Sequence, residues 1–240
     1  NVIVITGSGR AFCAGADMGM LNKAATKKSS GIGSPDAGNS GMNDRDVLYP
    51  TTILKPVIAA VNGPVAGIGF SLALACDMRF ASPETKFIGA FSRRGLVAEY
   101  GSSWTLPHLV GRGNAMMMLM SSDAVKGEEA LRIGLVQRIF PKDELLAETV
   151  TYAQHLAEKC SPVSMAAMKL QLWNHPSRSL DEAVEESVEL MRLTIGGKNG
   201  DFTEGVRSFL EKRRANFAAL NKDNVVVQRA SDLLLSKARL

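Results

Sequence analysis

The 240-residue chain is 45% hydrophobic and 22% charged, the balance of a globular protein able to bury one sizeable core. Nowhere does it run through the roughly 18 apolar residues that crossing a bilayer requires, and its first residues do not read as a secretory signal. A net charge of +4 suits an anionic ligand such as a nucleotide phosphate and equally a surface that is merely basic, and the basic residues lack the interleaved aromatics of a nucleic-acid platform, so DNA is not expected as a partner.

Asn1–Thr6 is apolar and β-branched and stops at Gly7-Ser8-Gly9, the pattern of a buried strand. Opening inside a strand creates the expectation of further strands upstream. Residues 10–18 follow as a loop of small side chains. Residues 27–41, rich in glycine and serine, are predicted as a mobile surface loop beside a binding site. Lys55-Pro56 introduces a second strand, Val57–Val61. It turns at Asn62-Gly63-Pro64 into the bend Ala66-Gly67-Ile68-Gly69 and a short apolar helix, Phe70–Cys76. Asp77–Ala81 and Lys86–Gly89 are predicted strands.

Beyond Ser102 the periodicity turns helical. Helices are predicted at 113–121, 126–132 and 143–159, with a short strand, Gly134–Phe140, between the last two. A further helix covers 179–195 behind an N-cap at Ser179, and others cover 201–217 and 225–235. The run Met116-Met117-Met118-Leu119-Met120 is expected to be helix core or subunit interface rather than a plastic ligand surface. Strands with glycine turns first and helices afterwards give an α/β class with a helical C-terminal part.

Cys13, Cys76 and Cys160 are odd in number and share no CxxC spacing, while His108, His155 and His175 form no HxxxH or HExxH pattern. Neither a disulfide framework nor a metal site is expected, and a reducing compartment fits best.

Two segments carry chemical promise. In Phe12-Cys13-Ala14-Gly15-Ala16-Asp17, small side chains let a ligand lie against the backbone. In Gly67-Ile68-Gly69, a turn directly precedes a helix, where free N–H groups suit a developing oxyanion. Two such donors on one carbonyl oxygen are what an enolate needs. Each segment alone reads equally well as a tight strand-to-helix turn.

Their order adds weight. VIVITGSGRAFCAGADM, then KPVIAAVNGPVAGIGFSLALACDMRFAS, then EGVRSFLEKRRANF resemble the crotonase (enoyl-CoA hydratase/isomerase) superfamily in collinear order over residues 1–217. The resemblance implies an α/β fold, a repeated ββα spiral core with a helical trimerisation region. It divides the chain into a core at 1–110, a helical region at 111–217 and a tail at 218–240. It implies an acyl-CoA substrate, no separate cofactor, and a homotrimer or dimer of trimers. The oxyanion N–H groups fall on Ala16 and Ile68, with Ala14, Gly15 and Gly67 beside the substrate. Phe209 and Lys212 match a C-terminal FxxK that touches CoA, often from a neighbouring subunit; the alternative is an exposed helix with its apolar stripe in the core. Asp17 is expected to cap the helix that follows it.

Departures from the family narrow the reaction. The positions that carry the two hydratase glutamates are here Ser71 and Phe91, neither able to act as a carboxylate. A single acid, Glu99, stands in FSxxGxxxExxSSxTxP (Phe91–Pro107), which is similar to peroxisomal 3,2-trans-enoyl-CoA isomerases, where this glutamate is the base. By that likeness Glu99 takes the C2 proton of a 3-enoyl thioester and returns it at C4, in a pocket dried by Phe91, Leu96, Val97 and Trp104. The alternative for Glu99 is a solvent-facing acid, as an isolated glutamate in a polar loop usually is. The alternatives are a hydratase-like reaction on Glu99 alone, thioester hydrolysis, or a CoA- or RNA-binding pseudoenzyme. The closing Ala238-Arg239-Leu240 resembles the address read by the peroxisomal import receptor, so the expected location is peroxisomal in a eukaryote and cytoplasmic otherwise.

Overall fold

Val57–Val61 is apolar and buried at every position, as a strand covered on both faces must be. The computed structural model describes residues 1–26, 46–196 and 200–235. In it this strand, β2, lies in a four-stranded sheet of order β1 (Ile3–Thr6), β2, β4 (Met78–Ala81), β7 (Arg138–Ile139). β2 and β4 are parallel with Ile58 opposite Met78, and β4 and β7 are parallel with Phe80 opposite Arg138. A second sheet has the order β3 (Val65–Ala66), β5 (Lys86–Ile88), β6 (Val125–Lys126).

The chain steps between the sheets. β2 leads to β3 and then to helix α3 (Ile68–Ala75). β4 leads to β5 and then to helix α4 (Ser102–Ser121). This is a strand–strand–helix unit made twice in succession, and it is the repeated ββα core that the resemblance implied. Each unit places a turn where the short strand of the second sheet gives way to helix or loop, and those turns hold Gly67-Ile68 and the segment around Glu99.

Two compact units divide the chain. One takes Ile5–Thr52 and Ile58–Thr149; the other takes Asn1–Val4, Ile53–Val57 and Val150–Leu240. The first thus includes α4 and α5 (Gly127–Arg132), beyond the residue 110 at which the sequence reading ends the core. In the second, α7 (Pro162–Asn174), α8 (Leu180–Ile195) and α10 (Val225–Leu235) share a core of Val163, Ala166, Leu170, Leu190, Val226, Val227 and Ala230. α8 begins on a capping box in which Ser179 and Glu182 satisfy each other's backbone N–H groups.

Several helices differ from expectation. α4 starts at Ser102 rather than 113, because Pro107 and Gly111 masked its first half as a loop. Gly111, at φ 75° and ψ 158°, does kink the helix without ending it. α7 has no counterpart among the expected helices, although Ser161 caps it by accepting from Ser164 N–H and Pro162 sits at its first turn. α9 (Asp201–Leu210) stops short of 217. Lys212 takes a positive φ of 51° there, and Arg213 folds back to pair with Glu204.

Among the described residues no helix is long and apolar enough to cross a membrane. The glycine- and serine-rich loop at 27–41 and Ala238-Arg239-Leu240 lie outside the described residues.

Candidate active site

The loop after β1 is bound edge-on to β3. Phe12 N–H donates to the Pro64 carbonyl (3.1 Å), Ala66 N–H donates to the Cys13 carbonyl (2.9 Å), and Cys13 bridges to Val65 in parallel register. The two small-residue segments, 50 residues apart in sequence, are therefore neighbours in space, as roughly 50 intervening residues permit at modest loop-closure cost.

Glycine is required where they touch. At Gly69 a Cβ would stand 2.5 Å from the Cys13 carbonyl oxygen and 2.7 Å from its Sγ. Gly15 has φ +95° and Gly67 φ +53°, both in the left-handed region that a side chain disfavours. The Cβ built on Gly67 would lie 3.9 Å from the Gly15 Cα, so the two backbones approach with no side chain between them.

Gly67 is the N-cap of α3 and has no side-chain capping bond. Ile68 begins the helix, so its N–H is one of the first-turn donors with no intrahelical acceptor. Among the described residues neither Ile68 N–H nor Ala16 N–H meets an acceptor. Ala14 and Ala16 are exposed, and Gly15, Gly67 and Ile68 are half-buried, so both donors are open to a ligand. Asp17 directly precedes α1 (Met18–Thr26), and its carbonyl accepts from Leu21 N–H at 3.0 Å, the N-cap position expected of it.

Glu99 lies in the turn between Gly95 and α4. Its carboxyl is half-buried, and that burial raises it above the ordinary glutamic acid value of 4.5. Its main chain is held hard. The Glu99 carbonyl accepts from Ser102 Oγ at 2.6 Å, Ser102 N–H at 3.0 Å and Ser71 Oγ at 3.4 Å. Tyr100 and Gly101 then take left-handed φ values of 50° and 70°. A non-glycine residue in that region costs about 1 kcal/mol or more and persists where the surroundings fix it, as active sites often do.

The surrounding apolar residues divide. Phe91 is buried and its carbonyl accepts from Arg94 and Leu96 N–H groups. Leu96, Val97 and Trp104 are exposed, and Trp104 packs on His108 with ring centroids 4.3 Å apart. Within one chain Phe91 is thus the enclosed member of the four. Phe209 is 83% exposed at the end of α9, and Lys212 N–H donates to its carbonyl at 3.3 Å. Among the described residues no group of three or more His, Cys, Asp or Glu side chains could hold a metal ion.

Sequence reasoning missed Ser71 and Ser102 as site residues. Ser102 had a local signal, a serine three residues beyond the acid at a helix start. Ser71 was marked only by standing at a hydratase glutamate position, and its contact with Glu99 had no local signal because it spans 28 residues.

The family described as enoyl-CoA hydratase/isomerase matches residues 1–220. The chain is 36% identical to a probable enoyl-CoA hydratase of Rhodobacter capsulatus, over 90% of this chain and 80% of that protein. It is 34% identical to the 1,2-epoxyphenylacetyl-CoA isomerase of Escherichia coli, with the same coverage of each. A solved structure titled a putative enoyl-CoA hydratase from Streptomyces coelicolor superposes with a TM-score of 0.81 at 32% identity, covering 90% of this chain and 77% of the other.

Proposed function

Because this chain belongs to the enoyl-CoA hydratase/isomerase family, we propose that it moves the double bond of a 3-enoyl-CoA to the 2-trans position, with Glu99 as the one acid–base group. The observation that carries this reading is the contrast among three positions. Glu99 is a half-buried carboxyl with a raised pKa on a fixed backbone, whereas Ser71 and Phe91 offer no carboxylate.

The chemistry balances on these residues alone. Ionised Glu99 takes a proton from C2 of the thioester. The C–H electron pair moves into the carbonyl, and the resulting oxyanion is held by the N–H groups of Ala16 and Ile68. The charge is conjugated with the C3–C4 double bond, so the dienolate carries electron density at C4. Protonated Glu99 then delivers its proton there, the oxyanion collapses to the thioester, and the double bond rests between C2 and C3. A base that serves two carbons needs a pKa close to the working pH, and burial moves Glu99 in that direction. Coenzyme A arrives as part of the substrate, and no other cofactor takes part in these steps.

Homo-oligomerisation completes the proposal. Leu180, Val184, Met191 and Ile195 lie exposed along α8, and Phe202, Val206, Phe209 and Leu210 along α9, at spacings that make one apolar stripe on each helix. Phe209 and Lys212 are proposed to reach the CoA of a neighbouring subunit. The name of the Rhodobacter relative favours hydration instead. Product analysis separates the two: a 3-enoyl-CoA should yield 2-enoyl-CoA, and a 2-enoyl-CoA should gain no water. Accumulation of 3-hydroxyacyl-CoA from either substrate at a comparable rate would replace this reading with the hydratase one.

A further inference from the structure

Ser71 stands where the family's hydratases carry a glutamate, and its side chain is 1% exposed. A buried hydroxyl must be hydrogen-bonded or cost about 1–3 kcal/mol, and the bond it makes is informative. Ser71 Oγ donates to the carbonyl of Glu99 (3.4 Å), 28 residues away. The same residue's N–H donates to the carbonyl of Gly67 (3.1 Å).

These two bonds join the two halves of the machinery. The Gly67 carbonyl and the Ile68 N–H belong to one planar trans peptide, so they point in opposite directions. Fixing the carbonyl inward along α3 therefore fixes the Ile68 N–H outward, at the N-terminal end of the helix. The hydroxyl of that same serine meets the main chain of the residue that bears the base. One buried residue thus links the Gly67–Ile68 peptide, through its backbone N–H, to the main chain of Glu99, through its hydroxyl.

We propose that Ser71 is a positioning residue that sets the distance between the Ile68 N–H and Glu99. The proposal rests on the reading of Glu99 as the base. Ser102 holds the same carbonyl more tightly, at 2.6 Å, but it lies on α4 beside Glu99 and fixes only the local turn. Ser71 alone of the two reaches from the oxyanion helix. Loss of its hydroxyl leaves the N–H bond to Gly67 in place and releases only the link to Glu99. The effect should therefore fall on the chemical step, where displacement of a reacting group by about 1 Å costs up to 100-fold.

The test uses the full chain and a 3-enoyl-CoA substrate, with kcat, KM and thermal midpoint measured for Ser71→Ala, Ser71→Thr and Ser71→Val. Threonine and valine have the same shape and differ in the hydroxyl, so comparing them separates hydrogen bonding from packing even if alanine loosens the fold. The expected result is a kcat about tenfold lower for Ser71→Ala with KM within about twofold. Ser71→Thr should exceed Ser71→Val by a similar factor. Added to Glu99→Gln, Ser71→Ala should cause no further loss, since the serine acts through the glutamate. Equal rates for the threonine and valine variants, a KM that rises as kcat falls, or a further loss on top of Glu99→Gln would each overturn the positioning role. Full activity in Glu99→Gln itself would instead remove the base, and with it the proposed reaction.

Discussion

Burial is the cause that raises the Glu99 carboxyl, and it has a consequence for stability as well as for catalysis. The folded chain binds this proton more tightly than the unfolded chain. Glu99 therefore favours folding most at low pH, and stability is lost as pH climbs from the unfolded value through the folded one. Glu99→Gln removes that cost. The variant should be at least as stable as the parent at neutral pH, and the difference should vanish below about pH 4, as denaturant titration at the two pH values would show. A variant less stable at neutral pH would mean that the carboxylate is stabilised by a partner rather than desolvated. In the parent, kcat/KM should rise with pH along a limb centred above 4.5, the ordinary glutamic acid value, because only the ionised carboxylate can accept the C2 proton. A limb at or below that value would contradict the desolvated base. Glu99 could be singled out in the sequence because it is the one acid in a segment of family-like pattern. Its bond from Ser71 could not, since a hydrogen bond spanning 28 residues leaves no periodicity to read.

Helix α3 shows what local pattern can and cannot disclose. Its glycine bend and apolar run are plain in the sequence, and its start at Ile68 rather than Phe70 reflects a cap without a side-chain signature. The element is held at both ends by features of different legibility. At its N-terminus Gly69 packs against Cys13 so closely that Gly69→Ala, whose methyl would stand 2.5 Å from the Cys13 carbonyl oxygen, must push the two proposed oxyanion segments apart. We expect it to cost about 1–3 kcal/mol of stability and to lower kcat, measured as a fall in thermal midpoint and in turnover; an unchanged midpoint would contradict that packing. At the C-terminus a fully buried arginine does the capping. Arg79 donates to the carbonyls of Ala73 (3.3 Å), Cys76 (2.7 Å) and, beyond the helix, Leu135 (2.8 Å). Burial lowers its pKa to about 10, which still leaves it charged at neutral pH, and a cation at a helix C-terminus is favourable. Nothing in the string MRFA distinguishes such an arginine from a surface one, because strand alternation predicts polarity but not depth. Arg79→Met strands three carbonyls and should cost about 3 kcal/mol, read by denaturant unfolding; a loss under 1 kcal/mol would mean that water replaces the guanidinium. α7 was hidden for a different reason. Its residues are apolar on more than one face, so no amphipathic stripe announces it, and only the Ser161-Pro162 start could have done so.

For the whole molecule, the ββα repeat followed from the likeness of the ordered motifs to a known superfamily rather than from any repeat visible in the sequence, whereas the two small-residue segments stood out because glycines and small side chains let backbones meet. The division of the helices between the two compact units was not legible, because helical periodicity says which face is apolar but not what covers it. The stripes on α8 and α9 remain apolar and exposed in the single chain, and light scattering should find the protein as an oligomer that Met191→Lys with Ile195→Glu shifts towards the monomer; a monomeric parent would assign those stripes another role. Activity should be read alongside, since an exposed Phe209 reaching a neighbour's CoA would make KM sensitive to assembly. The account as a whole stands on one carboxylate carrying the proton between two carbons. Its most direct test is the rate at which Glu99→Gln converts a 3-enoyl-CoA to the 2-enoyl isomer, followed by product separation. A loss of at least about 100-fold, with substrate affinity little changed, is the predicted result; a variant that isomerises at the parent's rate would contradict it.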